Sequence, residues 1–150
     1  MRVAKNWNVF LLNGRNETEL FKLLAVKMTS AVEEDNTTIV ATLKEQVLSN
    51  QNLEHVDLLS PCSHEEADTR ILLHTNHASK TGHENVTIRS NNTDVLVLAV
   101  HFFKHMGLKQ LLVASGSGST FRFLPVHEIS QSIGPTKASG LLFFSCIFWM

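Results

Sequence analysis

Two short acidic motifs carry the residues of this 150-residue chain that are best suited to chemistry. The first is Glu65-Glu66-Ala67-Asp68 and the second is Asn92-Thr93-Asp94. Hard divalent cations such as Mg²⁺ prefer oxygen ligands, and two such ions about 3.5–4 Å apart can promote hydrolysis of a phosphodiester. The residue types therefore suggest a metal-assisted phosphodiesterase as one hypothesis. Its candidate ligands are Glu66, Asp68, Asn92 and Asp94.

A purely structural role explains the same residues. Ser63 and Glu66 have the spacing of a capping box, in which each side chain accepts a hydrogen bond from a free backbone N–H at a helix start. Asp94 precedes an apolar run and is suited to capping the helix that the run can form. Spacing alone does not decide between a metal site and two helix caps.

The elements around the two motifs indicate how the chain could bring them together. Apolar spacing predicts a helix from Asn16 to about Ala31, and β-branched residues predict a strand over 37–43. A second helix is predicted from Ser63 to Gly82, followed by a strand over 85–89. A strand–helix–strand unit of this length favours a parallel crossover, and loops at the carboxyl ends of parallel strands meet in one crevice. The two motifs are therefore expected to face each other.

The second half of the chain continues the alternation of helices and strands. Residues 94–106 fit a buried strand or a helix, and we favour a helix that ends at Gly107. The remaining predicted elements are a strand at 110–114, a loop at 115–119, a strand at 121–124 and a helix from Pro125 to Gly134. These elements predict an α/β fold with a mainly parallel central sheet and helices on both faces.

Overall charge gives no sign of a broad nucleic-acid surface. The chain has 13 Lys and Arg against 14 Asp and Glu, a formal net charge of -1, so any contact with nucleic acid must be local. Arg70 and Arg89 flank the acidic motifs and are the candidates for contacting a phosphate backbone. Cys62 and Cys146 are distant in sequence and form no metal or disulfide pattern, which favours an intracellular location, either nucleus or cytoplasm.

The last ten residues, Leu141–Met150, are strongly apolar. A bilayer span needs roughly 20 apolar residues, so this segment is too short to cross a membrane. It is expected to pack on the domain or to lie as an exposed apolar segment.

The two acidic motifs and the residues around them also carry a resemblance. Residues 63–74 and 86–99 resemble an uncharacterised animal family found in many transposon-like copies, with a PIN-like domain. Their order is similar to the internal region of flap and XPG-type endonucleases, where Glu-x-Glu or Glu-x-Asp on a helix precedes a strand and Asp-x-Asp. The resemblance runs from about Trp7 to Leu142. It implies a partial PIN-like domain over residues 1–142, followed by a divergent apolar tail over 143–150.

The resemblance implies a nuclease that uses Mg²⁺ or Mn²⁺. Glu66 and Asp68 match the acidic pair on the helix, Asp94 matches the second Asp of Asp-x-Asp, and Asn92 stands where the family has Asp. The family's earlier Asp-bearing strand and later Gly-Cys-Asp segment have no counterpart here, so the chain looks truncated at both ends. The expected activity is therefore weak or absent. The alternatives are a catalytically dead module that binds protein or nucleic acid, and a decayed gene product without function.

Overall fold

A computed structural model describes residues 6–31, 36–60 and 67–147. The protein is a mixed α/β chain that forms two compact units, Met1–Ser63 and His64–Met150. The start of the predicted second helix, with Ser63, Glu65 and Glu66, lies outside the described residues.

The first unit contains two helices and a β-hairpin. Its elements are α1 (Trp7–Leu11), α2 (Gly14–Ala31), β1 (Val40–Leu43), β2 (Gln46–Ser49) and a short 3-10 turn at Val56–Leu58. The predicted helix is confirmed, but it begins before Asn16. The side-chain oxygen of Asn13 accepts a hydrogen bond from the Arg15 N–H at 3.0 Å, while the Asn16 amide donates to the Phe10 carbonyl. Asn13 therefore caps the start of α2.

The hairpin corrects the predicted strand–helix–strand unit. β1 pairs in antiparallel register with β2, from Val40 opposite Ser49 to Leu43 opposite Gln46. Lys44 adopts a left-handed backbone conformation, with φ of 54°, at the turn between them. The two strands form a separate two-stranded sheet, so the expected parallel pairing of β1 with the strand at 85–89 was wrong. Residues 46–49, for which the sequence predicted no strand, complete the hairpin instead.

Apolar burial in the first unit is slight. Helix α2 contains no buried residue, and Phe21 and Met28 on it are both more than half exposed. Leu59 is the buried hydrophobic residue among the described residues of this unit. Because burial of apolar area is the main favourable contribution to folding, this unit contributes little of the stability of the chain.

The second unit contains a three-stranded sheet. Its elements are α3 (Ala67–Lys80), β3 (Asn85–Arg89), α4 (Thr93–Met106), β4 (Gln110–Ser115), β5 (Arg122–Pro125) and α5 (Val126–Ile147). The strand order is β3-β4-β5. β3 and β4 are parallel, with α4 as the crossover between them, whereas β4 and β5 are antiparallel. Parallel pairing is thus observed for one pair of strands.

Residues 94–106 form a helix, as favoured by the sequence. Asn92 caps its start, and Gly107 ends it with φ of 72°, a left-handed conformation that suits glycine. The helix buries Val95 and Ala99 completely. Parallel strands such as β3 and β4 must be joined by a crossover of about a dozen residues or more, which is usually a helix. Residues 94–106 supply this crossover, and a strand there could not.

The core of the second unit lies between the sheet and its helices. The buried side chains come from α3, β3, α4, β4 and α5, and include Leu72, Ile88, Val95, Val100, Leu111, Val113, Val126 and Ala138. Leu111, Val95 and Val126 are each 0% exposed. This core fixes β3, β4 and the helix starts that position the acidic motifs.

Ser130 is a polar defect in this core. It is 1% exposed, and its hydroxyl has no hydrogen-bond partner among the described residues. Because an unpaired buried hydroxyl is costly and alanine favours a helix, Ser130→Ala should raise the free energy of unfolding by about 1 kcal/mol. Chemical denaturation measures the change. The control is Ser79→Ala, which removes a hydroxyl that donates to the Met106 carbonyl and should destabilise; equal effects would contradict the assignment.

Helix α5 is interrupted near the predicted stop. Gly134 has φ of 72° and ψ of 170°, and Pro135 follows it, so the helical conformation breaks there and resumes up to Ile147. Pro125 is the last residue of β5 rather than the first residue of the helix. Phe143, in the apolar tail, is 64% exposed. Within the ranges described, no helix has the length and apolar character that crossing a bilayer requires.

Candidate functional site

Asp68 and Asn92 lie in direct contact although they are 24 residues apart. The side-chain N–H of Asn92 donates to a carboxylate oxygen of Asp68 at 2.6 Å. Asp68 is in the first turn of α3 and Asn92 immediately precedes α4. The fold thus brings one residue of each acidic motif together, next to the carboxyl end of β3. We call this contact, with Asp94, the acidic site.

Asn92 also caps helix α4. Its side-chain oxygen accepts a hydrogen bond from the backbone N–H of Asp94 at 3.0 Å. The backbone N–H of Asn92 donates to the Ser90 hydroxyl. The amide group of Asn92 therefore uses its oxygen for the cap and its nitrogen for Asp68. Asp94 lies in the first turn of α4, two residues from the Asp68 contact along the chain. The motif does cap a helix, but the cap is Asn92 and not Asp94 as the sequence predicted, because Asp94 already lies in the first turn.

This arrangement fits a divalent cation poorly. A metal ion needs free oxygen atoms, whereas the Asn92 oxygen and one Asp68 oxygen each accept a hydrogen bond from an N–H group. No group of three or more His, Cys, Asp or Glu side chains within residues 6–31, 36–60 and 67–147 is placed to hold a metal ion. Glu66, the remaining predicted ligand, lies outside these ranges.

Arg89 is held at the end of the sheet beside this site. Its guanidinium donates to the carbonyl oxygens of Ala114 at 2.8 Å and Gly116 at 2.5 Å, and more weakly to the Asn91 side chain at 3.3 Å. The same group lies over the Phe121 ring, 5.2 Å from the ring centroid. These acceptors are all neutral, so none of them offsets the positive charge of this exposed side chain.

Arg70, the other predicted phosphate contact, lies on α3 and is partly buried. Its positive charge acts on His74, one helical turn further along. The pKa of His74 is lowered mainly because burial disfavours the charged ring, with smaller contributions from His77 and Arg70. The structure thus gives Arg70 an electrostatic influence inside α3.

The loop after β4 is tied to the acidic motif. The Gly116 N–H donates to the Asn91 side-chain oxygen at 2.8 Å, and a 3-10 turn over Gly118–Thr120 follows. Ser117 and Thr120 form reciprocal hydrogen bonds across this turn. The loop is an ordered turn in which the Gly116 and Ser117 N–H groups both have acceptors within the chain.

No family model, no curated protein and no solved structure matches this chain. The contact between the two acidic motifs and the sequence resemblance are therefore the grounds for a functional proposal.

Four residues beside the acidic site were not among the predicted site residues. Asn91, Gly116, Phe121 and Phe123 surround the end of the sheet. Asn91 and Gly116 carry a sequence signal, since Asn commonly accepts backbone hydrogen bonds in loops and Gly is favoured at positive φ. The two phenylalanines read as ordinary strand residues, because only the fold shows that their side chains are exposed.

Proposed function

We propose that this chain is a partial PIN-like domain of the metal-dependent nuclease type, with phosphodiesters as its substrate class and weak or no hydrolysis as it stands. Mg²⁺ or Mn²⁺ would be the metal, Glu66, Asp68 and Asp94 its carboxylate ligands, and Asn92 a weakened ligand. The resemblance also suggests a mainly parallel PIN-like sheet, of which β3 and β4 are the parallel pair. Nucleic acid is the proposed partner, inside the cell.

The observation that carries this proposal is the contact between Asp68 and Asn92. Two helix caps need no contact with each other, because each satisfies the N–H groups of its own helix. In this chain the residue at the start of α4 instead reaches the acidic residue at the start of α3. An Asp at position 92 would place two carboxylates at this spot, which is the arrangement that a divalent ion requires.

The Asn92 amide also favours a second candidate function. Its N–H occupies the carboxylate oxygen of Asp68 without any metal ion, so the two motifs are held together by a neutral side chain. Such a site needs no metal ion to hold its two motifs together, as expected for a catalytically dead module that binds protein or nucleic acid. The two candidates differ in whether a divalent ion binds at Asp68.

Asp68→Asn tests for metal binding. Asparagine keeps the shape of the side chain and can still accept a hydrogen bond from Asn92, but it removes the charge that attracts a cation. We expect millimolar Mn²⁺ to raise the thermal midpoint of the parent protein slightly and to leave that of the variant unchanged. Differential scanning fluorimetry measures both midpoints, and any cleavage of a labelled oligonucleotide should be lost together with the Mn²⁺ response.

The matched control is Asp57→Asn, which removes an exposed carboxylate from the first unit. This variant should respond to Mn²⁺ as the parent does. A parent that is stabilised no more than Asp68→Asn would exclude the metal site and leave the interaction module as the better candidate.

A further inference from the structure

An exposed aromatic pair lies at the same end of the sheet as the acidic site. Phe121 and Phe123 are 46% and 55% exposed, and their rings form an edge-to-face pair with centroids 5.1 Å apart. Phe123 lies on β5, which is an edge strand of the three-stranded sheet. Large apolar side chains that stay exposed side by side commonly mark a binding surface.

The register of the sheet places Arg89 in the same surface. Arg89 pairs with Ala114 on one side, and Phe123 pairs with Ala114 on the other. Residues paired across neighbouring strands project from the same face, so Arg89 and Phe123 flank the small side chain of Ala114. The Phe121 ring contacts both of them, at 5.2 Å from the guanidinium carbon and 5.1 Å from the other ring.

The hydrogen bonds around Arg89 and Gly116 hold this surface in place. Arg89 donates to the carbonyls of Ala114 and Gly116, and the Gly116 N–H donates to Asn91. These contacts fix the loop that leads into Phe121. The side chains therefore need little further ordering when a partner binds, which lowers the entropic cost of binding.

We propose that Phe121, Phe123 and Arg89 form a stacking platform for the unpaired bases of a single-stranded nucleic acid. Aromatic rings stack on any base, and a guanidinium beside them attracts the phosphate backbone. Asn91, which accepts a hydrogen bond from the loop, directly precedes Asn92, whose side chain donates to Asp68 in the acidic site. This inference rests on the proposed function for its polymer class and adds a surface that binds without metal or cleavage.

Fluorescence anisotropy of the full chain with a labelled oligothymidylate of about ten nucleotides, in chelator, tests the platform. Phe121→Ala and Phe123→Ala should each weaken binding roughly tenfold, because each removes a stacking surface. Phe21→Ala is the matched control, since Phe21 is 55% exposed like Phe123 but lies on α2 in the other unit. It should leave binding unchanged.

Two further variants separate stacking from folding. Phe121→Leu keeps an apolar side chain but has no ring, so it should bind as weakly as Phe121→Ala. Phe121→Trp should bind at least as tightly as the parent, because a larger ring offers more stacking surface. Circular dichroism melting confirms that each variant is folded. A tight Phe121→Leu variant would overturn the proposal even if Phe121→Ala failed to fold.

The remaining outcomes also decide the matter. No binding of the oligothymidylate by the parent, or equal binding of duplex DNA, would overturn the proposal. So would a parent that self-associates through this surface, shown by a dimer that Phe123→Ala dissolves and the oligothymidylate does not. Because chelator is present throughout, loss of binding is distinguished from failure of the metal site, which is measured by the Mn²⁺ response of Asp68→Asn.

Discussion

Asn92→Asp should lower the thermal midpoint of the protein in chelator and should make Mn²⁺ stabilise it more than it stabilises the parent. In the parent, the Asn92 amide donates to Asp68 at 2.6 Å. The substitution replaces this donor by an oxygen, so two carboxylates face each other. The cap on α4 survives, because Asp is as good an N-cap as Asn. A divalent ion bound by both carboxylates would remove this repulsion.

The expected loss in chelator is about 1–3 kcal/mol. It combines a hydrogen bond to a charged acceptor with like-charge repulsion, reduced by solvent because the contact is exposed. Repulsion raises the pKa of one of the two carboxyl groups in the folded state. The fold then loses stability as the pH rises through that pKa, so the deficit should shrink as the pH falls from neutrality toward about 4. Mn²⁺ at 100 times its dissociation constant would restore about 2.7 kcal/mol.

Asn91→Asp is the matched control for the added charge. The Asn91 oxygen accepts from the Gly116 N–H and the Arg89 guanidinium, so a carboxylate here faces donors and should not destabilise the protein. Its Mn²⁺ response should equal that of the parent. If Asn92→Asp, Asn91→Asp and the parent all respond to Mn²⁺ identically, the acidic motifs are helix caps and nothing more.

Gly116→Ala should cost about 2–4 kcal/mol and disorder the loop that leads into Phe121. Gly116 has φ of 84°, and a Cβ atom there would meet the Thr120 carbonyl oxygen at 2.2 Å. A left-handed conformation alone costs roughly 1–2 kcal/mol in a residue with a side chain, and the clash with backbone forces the turn to move. Urea denaturation measures the loss, and binding of the oligothymidylate should weaken with it.

Gly118→Ala separates strain from clash in the same loop. Gly118 has φ of 51°, but a Cβ atom there meets no atom within 4 Å. This variant should lose only the roughly 1–2 kcal/mol of the left-handed conformation and keep its affinity for the oligothymidylate. Equal losses in the two variants would show that the turn over residues 116–120 gives way easily and does not position Phe121.

Local signals in the sequence predicted most elements of the second unit. Local patterns predicted β3 and β4, and for residues 94–106, which also fitted a strand, the sequence favoured the observed helix with its stop at Gly107. The pairing of β1 was not predictable in this way. Gln46–Ser49 is a short, partly polar strand, and the turn before it uses Lys44 instead of a glycine, so the hairpin has no strong local signature.

For the acidic site, the sequence predicted only that the two acidic motifs would lie close together. The sequence predicted this from a parallel pairing of β1 with β3 that does not form, whereas the packing of α3 against β3 and α4 is what brings position 92 to Asp68. The hydrogen bond between them depends on side-chain geometry. The sequence therefore indicated that Asn92 lacks a charge, without showing that its N–H would occupy the Asp68 oxygen. The platform was missed for a related reason, since exposure of Phe121 and Phe123 depends on what the rest of the fold covers.

The starts of α3 and α4 meet at the Asp68–Asn92 contact, and this has an electrostatic consequence. The aligned peptide dipoles of a helix place about half a positive charge at its first turn. Two helix starts side by side therefore offset roughly one negative charge, about what the carboxylate of Asp68 provides. The field of the backbone favours an anion at this position and opposes a cation. A metal ion can be held here only when the negative charge of the acidic side chains exceeds the positive charge of the two helix starts. The charge at position 92 is therefore decisive.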